Sequence, residues 1–316
     1  MYSLKKVMVG QSSIEYREEH LTGNRCKICP ERIRRGIGAT YVPPLHEEGC
    51  PFCPGSVGEV TPLFADGTRI RIGESVTFPN LFPFAAHHVV TVMTRSHLPP
   101  SFSPEVIVDA LSGQIEGLMK ADFKGYPSIN WNFLPSSGAS IVHPHLQGLL
   151  DRRPCPRAER YLIAGERYLL REGRRYWDDL VSVERDSPRF LFGDEMFWTA
   201  AAVPLGEREV WGVMPFSDLE GAVPYLDLLA HGIGEVIELF RACGSHAFNL
   251  SLFLDRSREH HGFRSFCSMI ARINPNSTST SDSAFMERIH GEPVILTLPE
   301  ELGIFGRKEY DLSPPV

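Results

Sequence analysis

The chain has 316 residues, 42% hydrophobic and 22% charged, the balance of a folded protein with a core large enough for two domains or two halves of one fold. Its 32 Lys and Arg against 39 Asp and Glu leave a net charge of −7, so it is not expected to hold a nucleic-acid polymer, although a few local arginines suffice for a small phosphorylated ligand. No run approaches the ~20 uninterrupted apolar residues of a membrane span, and the apolar run after Lys6 is too short for a signal segment, so no membrane partner is expected.

Taken in chain order, Asn24-Arg25-Cys26-Lys27-Ile28-Cys29-Pro30 alternates as a strand does, and Glu31-Arg32-Ile33-Arg34-Arg35 follows it. Arg32 and Arg35 suit bidentate phosphate contacts; taken alone, such a run reads equally well as solvated surface. Cys50-Pro51-Phe52-Cys53-Pro54-Gly55 has the proline and glycine of a metal-knuckle turn. Phe78-Pro79-Asn80-Leu81-Phe82 sets an amide among aromatic rings, an arrangement that can sandwich a nucleobase, although most aromatic clusters are core. Val89–Met93 reads as a buried strand, Pro104 opens a helical pattern to about Phe123, and Ser128–Phe133 alternates as a strand.

The second half replays this order with Val210–Met214, a helix capped by Asp218 and running to about Cys243, and Phe248–Phe253. Ser277–Ser283 is a small-polar loop, and the Pro-rich tail from Gly291 is expected to be irregular. The expected fold is α+β, with two halves that are each an antiparallel sheet covered by a helix. Residues 1–155 would form the reactive half and 156–316 the supporting one, joined at the Pro- and Arg-rich stretch Arg152–Arg157. Seven cysteines, odd in number and sparse in a long chain, point to a reducing, cytoplasmic compartment.

The chemistry concentrates in Ser140-Ile141-Val142-His143-Pro144-His145-Leu146-Gln147. In an extended segment His143, His145 and Gln147 share a face. A neutral imidazole can attack phosphorus without a strong base, provided the proton on its other nitrogen is held by a carbonyl. Gln147 can donate to a phosphate oxygen as charge develops there. The alternative is a pair of structural histidines, the weaker reading for three convergent polar groups. His145 is therefore the expected nucleophile.

Two C-x-x-C pairs, Cys26/Cys29 and Cys50/Cys53, allow a four-cysteine zinc site. The strand-like setting of Cys26 favours instead a single structural zinc on Cys50, Cys53, His97 and His143, with no open position for water.

Together these residues resemble the galactose-1-phosphate uridylyltransferase family of the histidine-triad superfamily. The resemblance rests on Asn132 followed by Gly138-Ala139-Ser140 and His143-Pro144-His145-Leu146-Gln147, with Thr22–Arg35, Cys50–Gly55 and Phe78–Phe82 in matching order. It implies a nucleotidyl-histidine on His145, with Gln147 and Ser140 on the transferred phosphate. Phe78, Asn80, Phe82 and Asn132 would surround the nucleotide, and Arg32 and Arg35 would bind phosphate. It further implies a nucleotide sugar and a phosphorylated small-molecule acceptor as partners, and a homodimer. A phosphorylase or hydrolase of nucleotide sugars or dinucleoside polyphosphates is the nearest rival. A zinc-stabilised nucleotide-binding protein without turnover is a third reading. Leu146 stands where the family has glycine and is expected to crowd the phosphate pocket. Met269–Pro275 lacks the histidines of the family's second metal site, and Ser283–His290 lacks its hexose contacts, which leaves the sugar open.

Overall fold

A computed structural model describes residues 1–35, 49–274 and 281–311. The strands β1 (Tyr2–Val9), β2 (Ser12–Glu19) and β3 (Arg25–Ile28) form a small sheet. A ten-stranded sheet follows, from β4 (Ile70–Ile72), β5 (Ser75–Pro79), β6 (His87–Val92), β7 (Tyr126–Phe133) and β8 (His145–Asp151). The second half adds β9 (Phe190–Phe192), β10 (Phe197–Ala200), β11 (Val210–Val213), β12 (Ala247–Phe253) and β13 (Phe266–Arg272). Their spatial order is β4-β5-β6-β8-β7-β12-β13-β11-β10-β9. The two halves meet where β7 pairs antiparallel with β12, Asn132 opposite Asn249, so their sheets run on as one. A last strand, β14 (Val294–Ile295), returns to the small sheet parallel to β3.

The helices are α1 (Pro54–Val60), α2 (Pro104–Met119), α3 (Pro156–Glu172), α4 (Tyr176–Arg185), α5 (Leu219–Ala222), α6 (Leu226–Ala242) and α7 (Pro299–Asp311). Helix α2 starts where Ser103 Oγ accepts the Val106 amide and Pro104 needs no partner for a missing N–H. It buries Ile107, Ala110, Leu111, Ile115 and Leu118, the i, i+3, i+4 stripe of a core-facing helix. Helices α2 and α6 pack side by side, one over each half of the large sheet. Trp131 and Phe133 of β7 join Phe248 and Leu250 of β12 in that core, so alternation sends the intervening Asn132 and Asn249 to the opposite face.

Among the described residues, apolar cover over that opposite face lies at its two ends. At one end Tyr161 of α3 and Trp177 of α4 close over Trp211 and Phe266; at the other the Cys50 segment brings Phe52 and Val57 onto Phe78, Val90 and Val92. Between them Asn130, Asn132, Gln147, Asn249 and Ser251 stay half-buried on bare sheet.

Two expectations need correction. The helix capped by Asp218 is not continuous, because Pro224 lacks an N–H and cannot continue it; α5 passes through the 3₁₀ turn Val223–Tyr225 before α6 begins. The tail is not irregular throughout, because Pro299, Glu300 and Glu301 start α7 (Pro299–Asp311), with Leu302 buried. Glu300 ties this helix to Arg17 of β2 and to Arg189. Among the described residues no helix is long and apolar enough to cross a membrane.

Candidate active site

Strand β8 opens at His145, with His143 in the bend just before it. Leu146 and Leu150 enter the core under α2, and Gly148 lies against Gln114 of that helix, so His145 and Gln147 face the bare side of the sheet. Leu146 is only 2% exposed on the helix-covered side, so it does not crowd the pocket; the period-two geometry of the strand turns it away.

His145 is buried, and its Nδ1 lies 2.8 Å from the His143 carbonyl. A carbonyl only accepts, so Nδ1 carries the proton and Nε2 keeps its lone pair. Burial pushes the imidazole below its ordinary pKa, and neighbouring His143 adds to this against the carbonyl hydrogen bond that favours protonation. The ring is therefore neutral at neutral pH. Phe52 packs edge-on against it, ring centroids 5.1 Å apart.

The carbonyl that fixes His145 belongs to a residue that is itself fixed. Cys50 Sγ and Cys53 Sγ lie 3.8 and 3.7 Å from His143 Nδ1, and Cys53 Sγ lies 3.6 Å from His97 Nδ1. All four donor atoms fall within 4.8 Å of one another. Tetrahedral coordination at zinc-like bond lengths gives sulfur-to-nitrogen edges of about 3.6 Å, so this donor set can hold a four-coordinate metal ion. His143 Nε2 lies 2.8 Å from the Thr94 carbonyl, which sets the tautomer whose Nδ1 lone pair can serve as a ligand. Cys26 does not take part. It is buried in the small sheet with Val203 and Ile295, where burial pushes its thiol up to about 12.

The remaining expected residues divide. Asn132 lies on the bare face beside His145, and its Oδ1 accepts from Asn249 at 2.7 Å. Asn80 follows β5; its amide lies 3.1 Å from His88, and its Oδ1 accepts the Phe82 amide at 2.9 Å. Phe82 is exposed, whereas Phe78 is buried under Phe52 and supports that ring from below. Ser140 is exposed in the segment leading into β8. Arg32 is exposed on the 3₁₀ turn Pro30–Arg35, away from the cluster in every described contact, and the side chain of Arg35 lies outside the described residues.

Sequence reasoning missed His88, Asn130, Asn249, Ser251 and Arg272. His88 bonds Gln147, and burial holds its imidazole below the ordinary value, partly offset by that bond. Asn130 accepts from Ser251 Oγ at 2.8 Å and donates to the Gln147 carbonyl at 3.2 Å, holding the strand that carries Gln147. The available signal was the period-two placement of Asn130/Asn132 and Asn249/Ser251, polar residues alternating with apolar ones in otherwise core strands.

No family model matches the chain. An uncharacterised protein of Archaeoglobus fulgidus is 29% identical over 94% of this chain and 93% of its own length. Among solved structures, an ADP-glucose phosphorylase from Arabidopsis thaliana with bound ADP-glucose aligns with a TM-score of 0.73 and 14% identity, over 93% of this chain and 99% of that one. A GALT-like protein from Arabidopsis thaliana aligns at 0.70 and 14%, over 93% and 98%. A uridylyltransferase aligns at 0.69 and 16%, over 95% and 99%. The chain has the two-half fold of these structures over 93–95% of its length.

Proposed function

We propose that this protein is a divergent member of the uridylyltransferase-like family, moving a nucleotidyl group from a nucleotide sugar to a phosphorylated acceptor by way of His145. In the first step Nε2 attacks the α-phosphorus, and the bond from that phosphorus to the bridging oxygen breaks. Sugar 1-phosphate leaves with the electron pair. In the second step an oxygen of the acceptor's phosphate attacks the same phosphorus, and the phosphorus–nitrogen bond breaks to restore neutral imidazole. The observation that carries this reading is the hydrogen bond from His145 Nδ1 to the His143 carbonyl, which commits the ring to one reactive nitrogen.

Gln147 donates to the phosphoryl oxygens, and Ser140 joins it from the preceding segment. Asn80, exposed Phe82 and Asn132 hold the nucleotide, with Phe78 supporting them from beneath. Cys50, Cys53, His97 and His143 would hold one structural zinc, whose bound charge and rigidity keep the His143 carbonyl in place. The division of labour between residues 1–155 and 156–316, a homodimer and a cytoplasmic location belong to the same reading. A second reading makes inorganic phosphate the acceptor, and the missing hexose contacts in Ser283–His290 favour it. Both share the first step.

The test is intact-mass measurement after incubation with uridine, adenosine and guanosine nucleotide sugars. The expected result is one added nucleoside monophosphate, labile to acid and missing in His145→Ala. An unmodified wild-type protein that nevertheless turns over a donor, or a His145→Ala variant that retains turnover, refutes the covalent route. Product analysis with sugar phosphate or inorganic phosphate as acceptor then separates the two readings.

A further inference from the structure

Asn132 and Asn249 face one another across the junction of the two halves, and their side-chain amides are tied. Asn249 Nδ2 lies 2.7 Å from Asn132 Oδ1 and 2.9 Å from the Ser137 carbonyl. At its other end Asn249 Oδ1 accepts from Arg272 Nη1 at 2.8 Å. Arg272 is clamped in turn by Asp282, whose Oδ1 accepts from Nε at 2.7 Å and from Nη2, while Oδ2 accepts the Ile273 amide at 3.0 Å. The side chains of Arg272 and Asp282 are 13% and 15% exposed, so the pair is largely withdrawn from water.

This relay has a direction. A guanidinium only donates, so the end of the Asn249 amide that meets Arg272 must be its oxygen. The Ser137 carbonyl only accepts, so the other end must be the NH₂ group. That NH₂ demands an oxygen from Asn132, which turns the Asn132 NH₂ group away from the junction. Asn132 and His145 stand one residue beyond the last paired positions of β7 and β8, Trp131 and Leu146, on the bare face.

Resting on the proposed nucleotidyl transfer, we infer that Arg272 is a positioning residue that acts through Asn249 to hold Asn132 with its N–H donors toward the phosphoryl group taken up by His145. The two ends of a carboxamide have nearly the same shape. Without the relay, Asn132 can present its oxygen, and a lone pair then faces an anionic phosphoryl oxygen. Direct loss of such a donor slows acyl-transfer enzymes by about 10²–10³-fold, so an indirect loss through orientation is expected to cost about tenfold or more.

The experiment is a double-mutant cycle on the full chain, with Arg272→Met, Asn132→Ala and the pair, read as the single-turnover rate of nucleotidylation. Arg272→Met is expected to slow the wild type about tenfold and the Asn132→Ala background by less than about twofold, because both act through one amide. Equal slowing in both backgrounds signals a general structural effect and overturns the inference. A second variant covers poor folding of Arg272→Met. Asn249→Asp keeps the Arg272 contact but offers oxygen to Asn132, so it must be slower than Asn249→Ala; a faster Asn249→Asp also overturns the inference. Should the wild type form no adduct, the same cycle is read as the Kd for uridine and adenosine 5′-monophosphates by calorimetry. Non-additivity there keeps the relay while the transfer reading fails. Additivity, or no binding of either nucleotide, removes the relay.

Discussion

Leu146→Ala separates the two faces of β8. Leu146 is 2% exposed and packs in the main core, with Thr91 and Trp131 as its ladder neighbours on β6 and β7. Truncation removes three carbons from a fully buried site, about 2.4 kcal/mol at ~0.8 kcal/mol per methylene, before the cavity left behind is counted. With that cavity the cost should reach about 3 kcal/mol, within the range for buried leucines. Spread over 316 residues, an unfolding entropy of about 2.1 cal/mol/K each turns this into a fall in Tm of about 5 °C. Scanning calorimetry measures the fall, and the rate of nucleotidylation, read well below the transition, should stay within about threefold of wild type. An unchanged Tm with an altered transfer rate would mean that Leu146 touches the ligand, and the assignment of faces on β8 would be wrong.

The purified protein is expected to carry about one equivalent of zinc by elemental analysis, lost in Cys53→Ser and kept in Cys26→Ser. The opposite pattern would move the site to the Cys26 pair. Burial pushes the Glu300 carboxyl up, but hydrogen bonds and charge from Arg17 and Arg189 outweigh it and hold its pKa below the ordinary value. A carboxyl depressed in the folded state lends stability that is present above its unfolded value and is lost as pH falls through the folded one. Glu300→Gln should therefore lower the urea midpoint near neutrality and flatten its decline below about pH 4.5; an acid limb as steep as that of the wild type would refute the role given to this ion pair.

The strands and helices nearest the chemistry were legible because each obeys a short-range rule. A buried apolar run marked β6, alternation marked β7, Pro104 marked the start of α2, and the two-residue spacing of His145 and Gln147 put their side chains on one side of β8. The same alternation turns Leu146 away from that face, as the structure has it, so the expectation that it crowds the pocket rested on the family comparison alone. Where the tail was read from composition alone, the helix-starting proline and acidic pair of α7 were overlooked.

What the sequence by itself determined is the position of the histidine-bearing strand and the face its His145 and Gln147 present, since both follow from backbone periodicity within a few residues. Only the tertiary structure decided that Phe78 lies beneath the site, and that Arg272 and Asn249 of the second half reach Asn132 of the first. Those outcomes depend on the β7–β12 junction and on the fold of the Cys50 segment. They bring together groups far apart in the chain, and no local propensity encodes which distant partner a buried polar group will find.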